Sequence, residues 1–187
     1  MRVISGKYRG LVLAEFKGRD IRPTADRVKE SLFNIISSEI VGSRALDLFC
    51  GSGSLGIECL SRGAEFVQFN DISADSIAVL NKNLARMRGE NFRVTRGDWK
   101  ACLSALKDKF NLIFIDPPYA DDCGIYATQF VFEHSVLADG GTLVYERDRA
   151  FSGEIAGARV LDERNYGKTY LCLLYTSPSP RHSTSCG

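Results

Sequence analysis

Apolar and polar positions change period several times along the chain, and each change marks an element. Residues 1–13, "MRVISGKYRGLVL", read as two short strands around Ser5-Gly6 and predict a hairpin. Residues 23–40 switch to helical spacing: Val28, Leu32, Ile35 and Ile36 recur on one face, with Thr24 placed to cap the helix after Pro23. Strands and helices then alternate. "RALDLF" (44–49) predicts a strand and residues 53–61 a helix. "AEFVQF" (64–69) predicts a strand, and Ser73 caps a helix carrying Ile77, Leu80 and Leu84. "FRVTR" (92–96) is a strand followed by a short helix from Trp99. "NLIFI" (111–115) is a strand followed by a helix over 125–137, and "GTLVYE" (141–146) is the next strand. "ARVLDER" (158–164) and "KTYLCLLY" (168–175) close the pattern without a helix between them.

Such alternation predicts βαβ units, hence an α/β fold with a mostly parallel sheet and right-handed crossovers. The two final strands predict an antiparallel pair at the sheet edge. A chain of 187 residues is one domain that can bury a core without staples. The expected organisation is a hairpin arm over 1–22, the main domain over 23–175 and a tail over 176–187. The tail, "TSPSPRHSTSCG", is rich in Ser, Thr and Pro and lacks periodicity, so it is excluded from the fold.

Composition changes this picture only locally. The chain holds 24 basic and 23 acidic residues, but the first thirty residues hold eight basic and four acidic ones. That end stands at +4 and the remainder at −3. A basic end suits a polyanion such as nucleic acid, and a solvated surface explains it equally well. None of the six cysteines forms a C-x-x-C pair and the two histidines complete no zinc pattern, so no metal is expected. With no signal peptide and no apolar run near the ~20 residues of a membrane span, a reduced, cytoplasmic protein is expected.

Two stretches carry candidate chemistry. In "DLFCGSGSLG" a strand runs into Gly51, Gly53 and Gly56, a G-x-G-x-x-G spacing that opens a helix. Glycines there let the backbone turn tightly and approach a ligand. Asp71 follows Gly51 by twenty residues, past the next strand, where a carboxylate can accept from ribose hydroxyls. This spacing fits a nicotinamide cofactor as well as S-adenosylmethionine. Asp47 and Asp98 favour the latter. A carboxylate four residues before Gly51 would repel a pyrophosphate and attract a cationic methionine moiety. Asp98 in "RGDW" could accept from an adenine amino group, with Trp99 beside the ring, or could equally cap a helix.

The second stretch is "NLIFIDPPYA" (111–120). Proline cannot donate to a ladder, so the strand stops near Asp116, on the edge where open α/β sheets bind ligands. Pro117 and Pro118 stiffen the turn and leave backbone carbonyls free to accept. The Asp116 carboxylate and the Pro117 carbonyl would together hold the two N–H bonds of an exocyclic amine, with Tyr119 stacking on its base. Glu146 either faces the same pocket or is an edge carboxylate paired on the surface. His134, without a triad partner, reads as structural.

"PTADRVKESLFNI", "LDLFCGSGSLGIE", "FIDPPY" and "YGKTYLCLLY", in this order and after "RVISGKYRGLVL", resemble the RsmD-type bacterial methyltransferases. That family acts on a guanine N2 of small-subunit (16S) ribosomal RNA. The resemblance runs over residues 1–175 and implies a Rossmann-like class I fold: a seven-stranded, mostly parallel sheet with an antiparallel last strand, preceded by a hairpin and helix extension. It implies S-adenosylmethionine as donor, ribosomal RNA in an assembling particle as substrate, and a cytoplasmic monomer. By position, Asp47, Gly51, Ser52, Gly53 and Gly56 line the donor, Asp71 and Ile72 meet its ribose, and Asp98 and Trp99 its adenine. Asp116, bordering the donor, joins Pro117, Pro118 and Tyr119 around the target amine. Arg22, Thr24, Asp26 and Arg27 match an upstream signature near the donor and RNA face, and Arg2, Lys7, Arg9, Arg22 and Arg27 are the expected RNA contacts. Cys50 replaces the family's usual alanine; both are small, so the change is expected to be tolerated, though a thiol beside a helix N-terminus could be unusually reactive. Asn70 replaces an apolar residue before Asp71. "DPPY" also occurs in amino-group methyltransferases of DNA adenine N6 and protein glutamine, which remain open as alternatives.

Overall fold

Apolar runs too continuous for a one-sided sheet become its central strands. The computed structural model describes residues 1–16, 23–118 and 122–176. Its strands are β1 (Arg44–Asp47), β2 (Phe66–Asp71), β3 (Phe92–Arg96), β4 (Phe110–Ile115), β5 (Leu137–Arg147), β6 (Ala158–Tyr166) and β7 (Thr169–Thr176). Its helices are α1 (Pro23–Ile35), α2 (Ser54–Ser61), α3 (Ala74–Leu84), α4 (Trp99–Ala105) and α5 (Cys123–Glu133). The seven strands run in the order β3-β2-β1-β4-β5-β7-β6. β1 to β5 pair in parallel, and β7 is antiparallel to both β5 and β6. β1, β2 and β4 are buried almost throughout, as parallel strands covered on both faces must be, whereas β6 is an exposed edge.

Two cores follow from the alternation of side chains along the strands. On one face α1, α2 and α3 bring Leu32, Phe33, Ile57, Leu60 and Leu80 onto Phe69, Phe114 and Val144. On the other, α4 and α5 bring Leu103, Ala127 and Val131 onto Leu46, Phe110, Ile113 and Leu143. Strand order reverses at β1, which has β2 on one side and β4 on the other. The crevice outside the carboxyl ends of these two strands is where sheets of this type bind ligands.

The amino-terminal segment differs from the hairpin arm that the sequence predicts. Its two limbs meet in a single antiparallel bridge, Arg2 with Val12, rather than in two strands. Its inner side chains, Val3 and Leu13, belong to the first core. The segment is sewn to α2: the Ile4 and Ser5 N–H groups donate to the Glu58 carboxylate at 2.9 and 3.0 Å, and Lys7 N–H donates to the Ser61 carbonyl at 2.7 Å. Gly6, with φ +85°, allows this approach, since a Cβ there would lie 1.9 Å from the Ser61 oxygen. Glu58 is fully buried and paired with Lys29 of α1 at 3.1 Å and with Arg62 at 2.8 Å. Burial pushes its carboxyl up, but Lys29, the Ile4 N–H and Arg62 outweigh burial and hold it below the usual range. Removing one partner of such a buried pair costs about 3–5 kcal/mol.

Other boundaries shift for local reasons. α1 begins at Pro23, a residue suited to the first helical position, so Thr24 sits inside the first turn rather than capping it. α1 ends at Ile35 and a 3₁₀ turn, Ser37–Glu39, follows. α5 stops at Glu133 because Ser135 takes a positive φ of 53°, and β5 starts at Leu137, earlier than the apolar run suggests. β7 runs to Thr176, whose Oγ1 accepts from the Gly140 N–H at 3.2 Å, so the first residue assigned to the tail belongs to the sheet. Residues 177–187 lie outside the described residues.

Candidate active site

Four carboxylates reach the same rim because β1, β2, β3 and β4 point the same way. Asp47 and Asp71 end β1 and β2, Asp98 follows β3 by one turn, and Asp116 follows β4 directly. The glycine loop leads from β1 into α2. Gly51 and Gly53 have φ of 53° and 84°, conformations that L side chains rarely adopt. At Gly51 a Cβ would meet nothing nearer than Phe16 at 4.0 Å, which leaves this part of the loop open to a ligand. At Gly53 a Cβ would fall 2.3 Å from Leu80, and at Gly56 2.3 Å from Phe69. The first glycine is thus demanded by the turn, and the last by the packing of α2 on β2.

The donor-side acids hold this loop together. Asp47, 2% exposed, accepts from the Gly56 N–H at 3.0 Å and so ties β1 to the first turn of α2. Burial pushes its carboxyl up to about 7, against the Gly56 N–H, with Asp71 adding to the rise. Asp71 accepts from the Gly51 N–H at 2.9 Å with one oxygen and from the Ser73 N–H at 2.8 Å with the other. It therefore shapes the loop as well as standing at the expected ribose position. Ile72, beside it, is 68% exposed. Asp98 caps α4, accepting from the Lys100 N–H at 2.9 Å, which is the capping role open to it in the sequence. Trp99 stands edge-on to Phe130, with ring centroids 6.2 Å apart, and bridges α4 to α5.

Asn70 strengthens the same rim. It is buried, donates to the carbonyls of Leu48 and Gly97 at 3.2 and 3.1 Å, and accepts from the Thr95 hydroxyl at 2.9 Å. The polar replacement noted in the sequence thus joins the ends of β1, β2 and β3. Cys50 is not the reactive thiol that its place before a helix suggests. It is buried, and desolvation beside Asp47 and Asp71 drives its pKa far above the usual cysteine range.

On the other side of the crevice, Asp116 is half-buried at the end of β4. Pro117 is buried, and its ring and the Tyr145 ring both press where a Cβ on Gly124 would stand, at 2.6 Å each. Pro118 is exposed. A cavity of about 30 Å³ opens beside this turn, lined among others by Pro117, Pro118, Tyr145, Glu146 and Arg147. Tyr119, Arg22 and the Thr24 side chain lie outside the described residues. Asp26 is half-buried near the start of α1.

Four of the five expected RNA contacts lie among the described residues. Arg2, Lys7, Arg9 and Arg27 are all exposed. Lys7, however, pairs with Glu90 at 2.6 Å next to the amino end of β3, and its segment is fastened to Ser61 at the far end of α2. Eight residues of helix separate that point from the glycine loop by about 12 Å. His134 stacks on Phe130 at 3.8 Å and serves packing.

Asn83 was not singled out in the sequence. It is buried in α3 and contacts the donor loop directly. Its amide donates to the carbonyls of Ser52 and Ala14 at 2.9 and 3.1 Å, and accepts from the Ala14 N–H at 2.7 Å. The available signal was its place on the buried stripe of α3, three residues after Leu80, where an asparagine must find partners.

The family described as "Conserved hypothetical protein 95" matches residues 1–175. The chain is 39% identical to YlbH of Bacillus subtilis over 175 residues, covering 90% of this chain and 95% of that protein. It is 38% identical to the Ribosomal RNA small subunit methyltransferase D of Escherichia coli over 148 residues, covering 79% and 75%. The solved structure of Escherichia coli yhhF superposes with a TM-score of 0.84 at 30% identity, covering 96% of this chain and 99% of that one.

Proposed function

This chain belongs to the ribosomal RNA small subunit methyltransferase D family, RNA methyltransferases that use S-adenosylmethionine, and from that premise we propose that its target is the exocyclic N2 of a guanine in small-subunit ribosomal RNA. The observation that carries this reading is Asp116 at the carboxyl end of β4, followed by two prolines, on the same sheet edge as the glycine loop that follows the neighbouring β1. The residues fit the donor: Gly51 leaves the loop surface open, and Asp71 stands at its edge. When bound, S-adenosylmethionine supplies a methyl group activated by a sulfonium.

The chain's own task is to make a poor nucleophile attack. The lone pair of a guanine N2 is delocalised into the ring. Asp116 accepts one of its N–H bonds and the Pro117 carbonyl the other, which draws the nitrogen towards tetrahedral geometry. The Pro117 ring, wedged at Gly124 and Tyr145, keeps its carbonyl from turning away. Asp116, as the acceptor of one of these N–H bonds, takes the proton that the amine must release. This is catalysis by positioning and preorganised charge. Tyr119 stacks on the extruded base. The substrate is RNA in an assembling particle, met in the cytoplasm by a monomer, with Arg2, Lys7, Arg9, Arg22 and Arg27 gripping phosphates in a salt-sensitive way.

The test uses small ribosomal particles from cells lacking the enzyme and a donor with a tritiated methyl group. After digestion to nucleosides, label is expected in N2-methylguanosine. Label in a methylated adenosine, or in protein instead of RNA, overturns the proposal.

A further inference from the structure

Asp116 and the Pro117 carbonyl account for the two N–H bonds of the target amine but leave its neighbour in the ring without a partner. A guanine presents a third donor, N1–H, next to N2. We infer that Glu146 accepts this N1–H and is the residue that makes the site select guanine; the inference rests on the guanine-N2 reading above.

The placement follows from register. β4 and β5 run in parallel with Phe114 opposite Val144 and Ile115 opposite Tyr145. Phe114 and Val144 lie in the first core, Ile115 and Tyr145 in the second. One residue further, Asp116 leaves the end of β4 while alternation along β5 returns Glu146 to the face of the first core, next to it on a strand about 4.8 Å away. Pairing on the other flank agrees: Glu146 stands opposite Leu171 of β7, and Leu171 belongs to the first core. Glu146 is half-buried, and it lines, with Pro117, Pro118, Ile125 and Tyr145 but not Asp116, the small cavity beside the turn. The wall beside it is stiff. Arg147 lies over the rings of Tyr145 and Phe151, at 5.1 and 5.3 Å, and Tyr145 packs at Gly124.

The chemistry discriminates in one direction. A carboxylate accepts and never donates at neutral pH, so it pairs with the N1–H of guanine. Adenine and 2-aminopurine carry a bare lone pair at N1, which a carboxylate repels. A site built to hydrogen-bond one group rejects an analogue lacking it far more strongly than an apolar pocket could. Asp116 alone cannot make this distinction, because 2-aminopurine keeps the same exocyclic amine.

The experiment compares two ribosomal RNA substrates, one with guanine and one with 2-aminopurine at the methylated position, for the wild type, Glu146→Gln and Glu146→Asp. The wild type is expected to favour guanine by about a hundredfold or more in kcat/KM. Glu146→Gln, which can donate to the bare N1, should bring that ratio near one, while Glu146→Asp retains a preference for guanine. Calorimetric donor binding, expected unchanged, checks that the variants are folded. A guanine preference that persists in Glu146→Gln overturns the inference and leaves the guanine-N2 reading standing. Absence of N2-methylguanosine from the wild-type reaction sinks both. A wild type that methylates the two bases equally sinks only the role of Glu146.

Discussion

The two banks of the crevice are built differently. On the donor bank Asp47, Asp71 and Asp98 each accept from backbone N–H groups of the protein itself, at Gly56, Gly51, Ser73 and Lys100. Their charge organises loops whose glycines have no side chains to pack. On the target bank the turn is shaped by sterics: Pro117 and Tyr145 crowd Gly124, and the prolines fix their own φ. The donor bank is therefore held by carboxylates that accept from the backbone, and the target bank by packed rings. One consequence is a separation of effects. Damage to the target bank should reach chemistry and spare donor binding, and damage to the donor bank should do the reverse.

The largest test is Asp116→Ala. Loss of a preorganised acceptor for the transferring amine is expected to lower kcat by about 10²–10³ or more. Donor affinity, measured by calorimetry, should stay within a few-fold of the wild type. A variant with near-normal turnover would remove Asp116 from the mechanism. Equal losses of turnover and donor affinity would show that the banks are not separable.

Asn83→Ala probes the donor bank at its deepest point. It removes three hydrogen bonds and leaves the Ser52 and Ala14 groups unpaired, a cost of about 1–3 kcal/mol. The glycine loop then loses its anchor to α3, so KM for the donor should rise about tenfold with kcat at saturation little changed. An unchanged donor KM would reduce Asn83 to a packing residue.

That contrast also explains what could be read in advance. The glycine loop, the acids at the strand ends and the Asp-Pro-Pro turn are local in sequence, and their spacing alone places them on one rim. The mostly parallel sheet and its antiparallel final pair were equally accessible, since alternating elements leave few topologies. Asn83 was hidden because its partner Ala14 is 69 residues away. The amino-terminal segment looked like a free hairpin because the residues that fasten it, Glu58 and Ser61, belong to α2. Asp98 offered a cap and an adenine contact with the same residue type at the same place, so no pattern could choose. Ser135 ended α5 through a backbone conformation that serine seldom adopts, which periodicity does not register.

The titratable character of the donor bank gives a pH prediction. Burial raises the Asp47 carboxyl to about 7, above its unfolded value of about 3.9. Between these values the folded state binds more protons than the unfolded one, so this group makes stability fall as pH rises from about 4 to about 7 and level off beyond. Asp47→Asn should flatten that part of the slope, as read from thermal midpoints at several pH values. A cation on the methionine end of the donor would favour the ionised form, so donor binding should tighten through the same window in the wild type alone. Identical slopes in the two proteins would remove Asp47 as the titrating group.

The smallest expected effect falls at Cys50, where two influences compete. A thiol ahead of α2 could be acidified by the helix N-terminus, and a thiol enclosed with Asp47 and Asp71 is driven the other way. The enclosure wins: Cys50 is 7% exposed, and its N–H is bonded to the Asn70 carbonyl at 2.9 Å. Cys50→Ala should therefore cost about 1 kcal/mol or less and leave turnover unchanged, since only one small atom is lost from the packing. The wild-type thiol should alkylate far more slowly in the folded protein than after denaturation. Fast alkylation of the native thiol would mean that the loop opens readily, and that the hydrogen bonds of the donor bank do not fasten it against the rigid turn opposite.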